Sequence, residues 1–460
     1  MSRRAALAGL LALAGLAACA PAPVAVEMPE RAALSTAPLP PMKRFGPVRV
    51  TPPQRSNIDI ARDFLDLSFR MESGRPLPWM TRFDGPVTVA MTGPAPATAA
   101  TDLDALLHRL RQEARIDIHR ARAGQAANIT VQFLPRRKMQ ALVPQAACFV
   151  APRIRSWEEF RRARHGDTLD WATLTKRQTL AVFIPSDTSP QDVRDCLHEE
   201  IAQALGPLDD LYRLTDSIFD DDNFHTVLTG FDMLVLRAYY APELGNGTTR
   251  IQAATRLPAI LARLNPAGEH VAPNADPGPT PRAWIDAIET ALGPRTRASR
   301  RVEAARHAVD IARQRGWNDA RMAFSWFALG RLSLASDPET AVTAFAEAAR
   351  IYRRLPNTAV HLAHIDMQMA AFALNAGQPA HALELVDRDI PATRRAENAA
   401  LLSTLLMIRA AALDALGRPA EARAARLDSL GWARYGFGAD LKVRARLAEI
   451  AALAHRPKGG

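Results

Sequence analysis

The chain has 460 residues, 48% hydrophobic and 23% charged, with 3 cysteines and a formal net charge of +10. That length allows two or three domains, and the apolar content supports ordinary cores, which excludes a disordered polymer. The few cysteines exclude a small disulfide-dense scaffold. A basic balance would suit nucleic acid in the cytoplasm, but the start of the chain points elsewhere.

Arg3 and Arg4 precede an apolar run from Ala5 to Ala18, followed by Cys19. The run falls short of the roughly 20 residues a spanning helix needs, so residues 1–18 read as a signal peptide. Leu16-Ala17-Ala18-Cys19 resembles a bacterial lipobox. That resemblance implies cleavage before Cys19 and lipidation there; an ordinary signal peptide that happens to hold a cysteine is the alternative. It also implies a place in the bacterial cell envelope, lipid-anchored and facing the periplasm. Ala20 follows rather than aspartate, which favours the outer membrane. Partners expected from this reading are the membrane, through the lipid, and an envelope protein or peptide. No nucleic acid is expected, and the excess arginine serves anionic headgroups or a solvated surface.

Residues 19–45 are rich in proline and alanine and read as an extended tether. At about 3.1 Å per residue it would reach up to roughly 80 Å. A first domain is expected over residues 46–265. Ile58 to Met71 has a helical pattern, as does Asp102 to Ala114 with Leu103, Leu106, Leu107 and Leu110 on one side. Pro86 to Met91, Asn128 to Leu134 and Thr179 to Ile184 read as strands.

The most informative stretch follows. Ser189 and Pro190 open a helix, Val193, Leu197, Ile201, Ala204 and Leu205 give it an apolar stripe, and Gly206-Pro207 stops it. Its polar residues read E-E-x-x-Q-x-x-G-x-x-D from Glu199 to Asp209. This resembles the metzincin zinc-peptidase motif H-E-x-x-H-x-x-G-x-x-H. The resemblance puts Glu200 at the general base, Gly206 at the motif turn, and Glu199, Gln203 and Asp209 at the three metal ligands. Ser217-Ile218-Phe219 is similar to the Met-turn, with Phe219 in place of methionine, and Leu228 to Tyr240 to the helix after it. It implies an α+β metzincin-like fold. All three ligand positions lack histidine, and an all-oxygen set suits a hard divalent metal better than zinc. No cofactor is firmly expected beyond such a metal. The chain also resembles a family of uncharacterised bacterial lipoproteins that carries the same E-E-x-x-Q-A-L-G stretch and a segment like Asp428 to Gly438.

Two cysteines remain after the leader, Cys148 and Cys196. In an oxidising compartment the simplest reading is a disulfide that pins the motif helix; a cysteine-containing metal site is the alternative. Asp220-Asp221-Asp222-Asn223 reads as a solvated turn without calcium-loop spacing, and His225 as a lone histidine nearby.

Residues 266–281 are proline-rich and read as a linker to a wholly helical domain over 282–460. Pro338-Glu339-Thr340-Ala341, Pro379-Ala380-His381-Ala382 and Pro419-Ala420-Glu421-Ala422 share P-x-x-A at spacings of 41 and 40. This resembles tetratricopeptide repeats, whose usual period is about 34; a plain helical bundle is the alternative. The aromatic stretch Leu427 to Gly438 reads as a capping turn or a contact patch.

Two functions compete. One is an envelope lipoprotein with a degenerate peptidase-like domain, binding peptide or protein beside a helical-repeat module. The other is an active metallopeptidase with oxygen-rich ligands and Glu200 as base.

Overall fold

The protein is described here by a computed structural model covering residues 38–46, 51–122, 124–220, 222–293 and 296–454. Cys19, the leader, the first part of the expected tether and Asp221 lie outside the described residues.

Helix α1 (Asn57–Ser68) starts where the Ser56 hydroxyl accepts the Asp59 N–H, and buries Ile60, Phe64 and Leu67 one turn apart. The elements after it are β1 (Val87–Thr92), α2 (Ala99–Gln112), β2 (Ile118–Arg120), β3 (Ile129–Leu134), α3 (Arg136–Gln140), β4 (Phe149–Pro152), α4 (Trp157–Ala163) and β5 (Leu180–Pro185). Then come α5 (Pro190–Leu205), α6 (Gly230–Tyr239) and α7 (Arg250–Leu264), which returns to pack on α1.

The five strands form one sheet in the order β2-β1-β3-β5-β4. All neighbours are parallel except β4, which runs antiparallel along the edge of β5, Phe149 opposite Phe183. Every residue of β5 is buried, because both faces are covered. Leu180, Val182 and Ile184 join the core with Leu103 and Leu107 of α2 and Leu197 and Ile201 of α5. Ala181 and Phe183 face a smaller aromatic core of Phe149, Trp157 and Phe160. The three anticipated strands are present. The sequence pattern did not show β2 and β4, which are too short to carry a recognisable alternation.

The rest is helical: α8 (Arg282–Leu292), α9 (Ala298–Gln314), α10 (Ala320–Ser333), α11 (Pro338–Tyr352), α12 (Ala359–Asn375), α13 (Pro379–Arg395), α14 (Ala399–Ala415), α15 (Pro419–Phe437) and α16 (Asp440–Ala454). Successive helices pair as hairpins α10/α11, α12/α13 and α14/α15. Each P-x-x-A opens the second helix of a hairpin, with its proline at the first helical position, where no N–H is needed. Ala341, Ala382 and Ala422 are fully buried, since only a small side chain fits the hairpin seam there. Gly377 and Gly417 adopt φ of 70° and 71° in the turns before the second and third of these helices.

Three expectations change. The last part of the tether, residues 38–45, does not hang free. Lys43 N–H donates to the Gly431 carbonyl at 3.0 Å, Arg434 to the Pro40 carbonyl at 3.0 Å, and Phe45 stacks on Trp432. The proline-rich linker is itself held: Asn274 donates twice to Asp59 Oδ2, and buried Arg321 holds the Pro277 and Gly278 carbonyls. Proline set an extended backbone there, and buried polar partners fixed it. The stretch Leu427 to Phe437 is not a turn but part of α15, and α16 follows it; Trp432 and Tyr435 are buried there while Leu427 is exposed. Finally, the acidic segment at Asp220 is not a solvated turn. Asp220 is buried, the His361 ring contacts Asp222 Oδ2 at 3.2 Å, and Phe224 inserts between Phe327, His361 and His364 of the helical region. With Tyr212, which packs on Trp284, it joins the helical core to the loop after α5.

Candidate functional site

Helix α5 is the element on which the site is built, and it is held at both ends. Ser189 and Asp192 form a reciprocal capping box, with Pro190 in the first turn. At the other end buried Arg177 donates to the carbonyls of Gln203 and Gly206, placing a cation on the helix C-terminus, with Trp171 over its guanidinium. The Tyr240 hydroxyl donates to the Leu205 carbonyl at 3.0 Å. Nothing in the spacing around Arg177 singled it out, because the contact spans a sheet strand. Gly206 sits close against a neighbour: a Cβ there would meet the Tyr239 ring at 3.0 Å, a tight contact. Phe219 is fully buried in the same core as Leu197 and Ile201, and its carbonyl accepts the Leu211 N–H at 2.9 Å.

The polar faces of α5 go to different places. Gln191 exchanges hydrogen bonds with Asn398 (3.2 Å) and the Ala400 N–H (2.9 Å), and Arg194 pairs with Glu397, so this face belongs to the α13–α14 turn. His198 is core: its Nδ1 accepts the Leu228 N–H at 3.1 Å, and burial pushes its pKa well down. Cys196 lies at bonding distance from Cys148, with Cα atoms 6.0 Å apart, which ties α5 to the segment entering β4.

Glu199 and Glu200 meet this disulfide: one carboxylate oxygen from each and the Cys148 sulfur lie within 4.8 Å of one another. Glu200 is only 3% exposed, and its Oε2 has no hydrogen-bond partner. Burial, reinforced by the charges of Glu199 and Glu72, drives its pKa well above the usual carboxylate range. Gln203 donates from its amide to Glu72 Oε1 at 3.1 Å. Asp209 is buried beside Arg70 and Glu72, its carboxyl pushed up to about 7 mainly by burial.

The set does not fit a catalytic zinc. Glu199 lines a cavity facing the helical region, while Gln203 and Asp209 share the surroundings of Glu72. The donors are all oxygen, where zinc prefers nitrogen and sulfur, and the nearby sulfur is committed to a disulfide. His225, the histidine nearest the motif loop, contacts the Thr215 carbonyl at 3.1 Å and lies beside His361 rather than among these carboxylates. The Asp192, Asp195 and Glu199 side of α5 opens instead into a cavity of about 350 Å3. Its opposite wall is built by α12, α14 and α16, among them His364, Met367, Thr404 and Arg446.

Residues 57–259, from α1 into α7, match the model of a family described as "Protein of unknown function (DUF2927)". The match includes all of α5 and ends before the helical hairpins. No curated protein and no solved structure matches the chain.

Proposed function

We propose that this protein is a lipid-anchored envelope protein that binds peptide or protein partners, its peptidase-like domain no longer performing zinc chemistry. The observation that carries the reading is the cavity shared between the motif helix α5 and the repeat helices, which Glu199 lines beside Asp192 and Asp195. The mixed sheet whose last strand feeds directly into α5 supports the metzincin-like assignment, and the proline-initiated hairpins support the tetratricopeptide-like one. A general base must be ionised and reach its water; Glu200 is buried and its pKa is pushed well above the usual carboxylate range, which argues against that role. Lipid attachment at Cys19 and an outer-membrane location remain part of this proposal. The metallopeptidase reading has one observation in its favour, the unpartnered oxygen of Glu200 beside Glu199.

The test is a random peptide library offered to the purified full chain, with mass spectrometry scoring both retention and cleavage. Peptides retained intact support binding. Cleavage by the wild type that disappears in Glu200→Gln establishes the enzyme instead, and neither retention nor cleavage ends the proposal. In parallel, Cys19→Ser should release the protein from membranes.

A further inference from the structure

We infer that the cavity between α5 and the repeat helices binds the free amino terminus of a peptide whose first residues are apolar. This deepens the proposed function and rests on it for the peptide nature of the ligand. Four buried polar atoms without a hydrogen-bond partner belong to residues that line this one cavity: Asp195 Oδ1, Thr226 Oγ1, His364 Nε2 and Arg446 Nε. Buried polar atoms are nearly always satisfied, and Thr226 is only 9% exposed. The four come from α5, the loop before α6, α12 and α16, so no single helix end or turn explains them together.

Their charge points to the ligand. Asp192, Asp195, Glu199 and Asp220 line the cavity, and among its described lining residues Arg446 is the only lysine or arginine. That arginine already pairs with Glu449 at 2.7 Å. Burial keeps His225 and His364 neutral, so both add acceptors rather than positive charge; burial also pushes the Asp195 carboxyl well up, and an ammonium beside it favours the charged form. Such a wall repels phosphate and favours a cation. A metal ion is a poor candidate: among the described residues the only convergent set of three His, Cys, Asp or Glu ligands is Cys148, Glu199 and Glu200, of which Glu199 alone lines this cavity. An ammonium group has three N–H donors to share among Asp195, Thr226 and His364. The orphaned Arg446 Nε–H then suits the carbonyl of the first residue, which a lysine side chain would not supply.

The cavity continues into a second one of about 680 Å3. The two share Asn223, His364, Met367, Thr404 and Arg446. The second is lined in part by apolar side chains of the repeat helices, Phe327, Phe372, Ile408 and Ile450 among them, with Asp222, Arg331 and Glu449 also on its wall. An ammonium in the first and apolar side chains in the second describe an apolar amino-terminal segment.

The experiment is calorimetric titration of the full chain at pH 7 with the amidated tetrapeptide Leu-Ile-Ala-Gly, once with a free amine and once N-acetylated. The free peptide should bind, and acetylation should weaken it about 10-fold or more, as expected for an unmade charged hydrogen bond. Thr226→Val and Asp195→Asn should each weaken the free peptide by about the same factor, without affecting the acetylated one. Thr226→Val removes an unsatisfied hydroxyl, so its melting temperature should hold or rise, which separates lost binding from lost folding. Equal affinity for both peptides overturns the inference. So does binding of neither, with water then satisfying the four atoms. If both tetrapeptides fail while the library of the preceding test is still retained, this site is wrong and the binding function stands. Failure of both experiments removes both.

Discussion

Burial reverses the ordinary acid–base behaviour of several side chains. His361, packed between Phe224 and Tyr352, and His364 are both held neutral, their pKa values pulled down to about 3 by desolvation. A histidine whose folded pKa lies below its unfolded value of about 6.5 leaves the unfolded chain binding more protons, so its contribution is present above that pH and lost on acidification. Asp222, pushed up to about 7, works in the opposite sense, losing its contribution as pH rises through that value. His364→Gln removes one histidine from this balance. Between pH 7 and 4.5 the urea stability of the wild type should therefore fall by about 1–2 kcal/mol more than that of the variant. Parallel profiles would show that His364 does not titrate with unfolding.

Helix α5 owes its position to contacts that are distant in sequence. The Cys148–Cys196 link closes a separation of 48 residues, and the chain-entropy model gives such a crosslink about 4 kcal/mol. Cys196→Ser should lower unfolding stability by up to about that amount while leaving the far-ultraviolet circular dichroism unchanged; equal denaturation midpoints would contradict it. The α14–α15 hairpin depends on proximity instead. A Cβ at Gly436 would stand 2.6 Å from the Ala400 Cα, where the obstacle is backbone that cannot swing aside. Gly436→Val should therefore cost about 1–3 kcal/mol through overpacking, read as a lowered urea midpoint; a midpoint equal to wild type would mean that the hairpin gives way freely.

The α/β region and the helical hairpins act as one body because they share side chains. The described residues form a single compact unit. Tyr212 and Phe224 from the loop after α5 are buried in the helical core, and Arg194 of α5 pairs with Glu397 at the α13–α14 turn, both side chains largely buried. Glu397→Ala would leave the arginine buried without its partner, at a cost of about 3 kcal/mol, and calorimetry should show it in the same transition that melts the rest. The unmodified chain should likewise unfold in one transition. Two well-separated peaks would mean that the two regions are energetically independent.

Local pattern was enough for the elements that are long and one-sided. Val193, Leu197 and Ile201 announce α5, Ser189 and Gly206 its ends, and the three P-x-x-A segments a helical repeat, whose prolines stand at the starts of α11, α13 and α15. These signals are legible because capping, proline geometry and a 3.6-residue period act over a few neighbouring residues. The short strands β2 and β4, the docking of residues 38–45 on α15, and the burial of the Asp220 loop have no such local signature, since each depends on surfaces supplied from far along the chain. The site divides in the same way. Glu199, Glu200, Gln203 and Asp209 stood out by spacing alone. Spacing could not reveal that Gln203 is engaged by Glu72, that burial pushes the Glu200 pKa well up, or that Thr226, His364 and Arg446 line one cavity with Asp195. Solvent exclusion and long-range packing set those properties, and neither is written in any one segment.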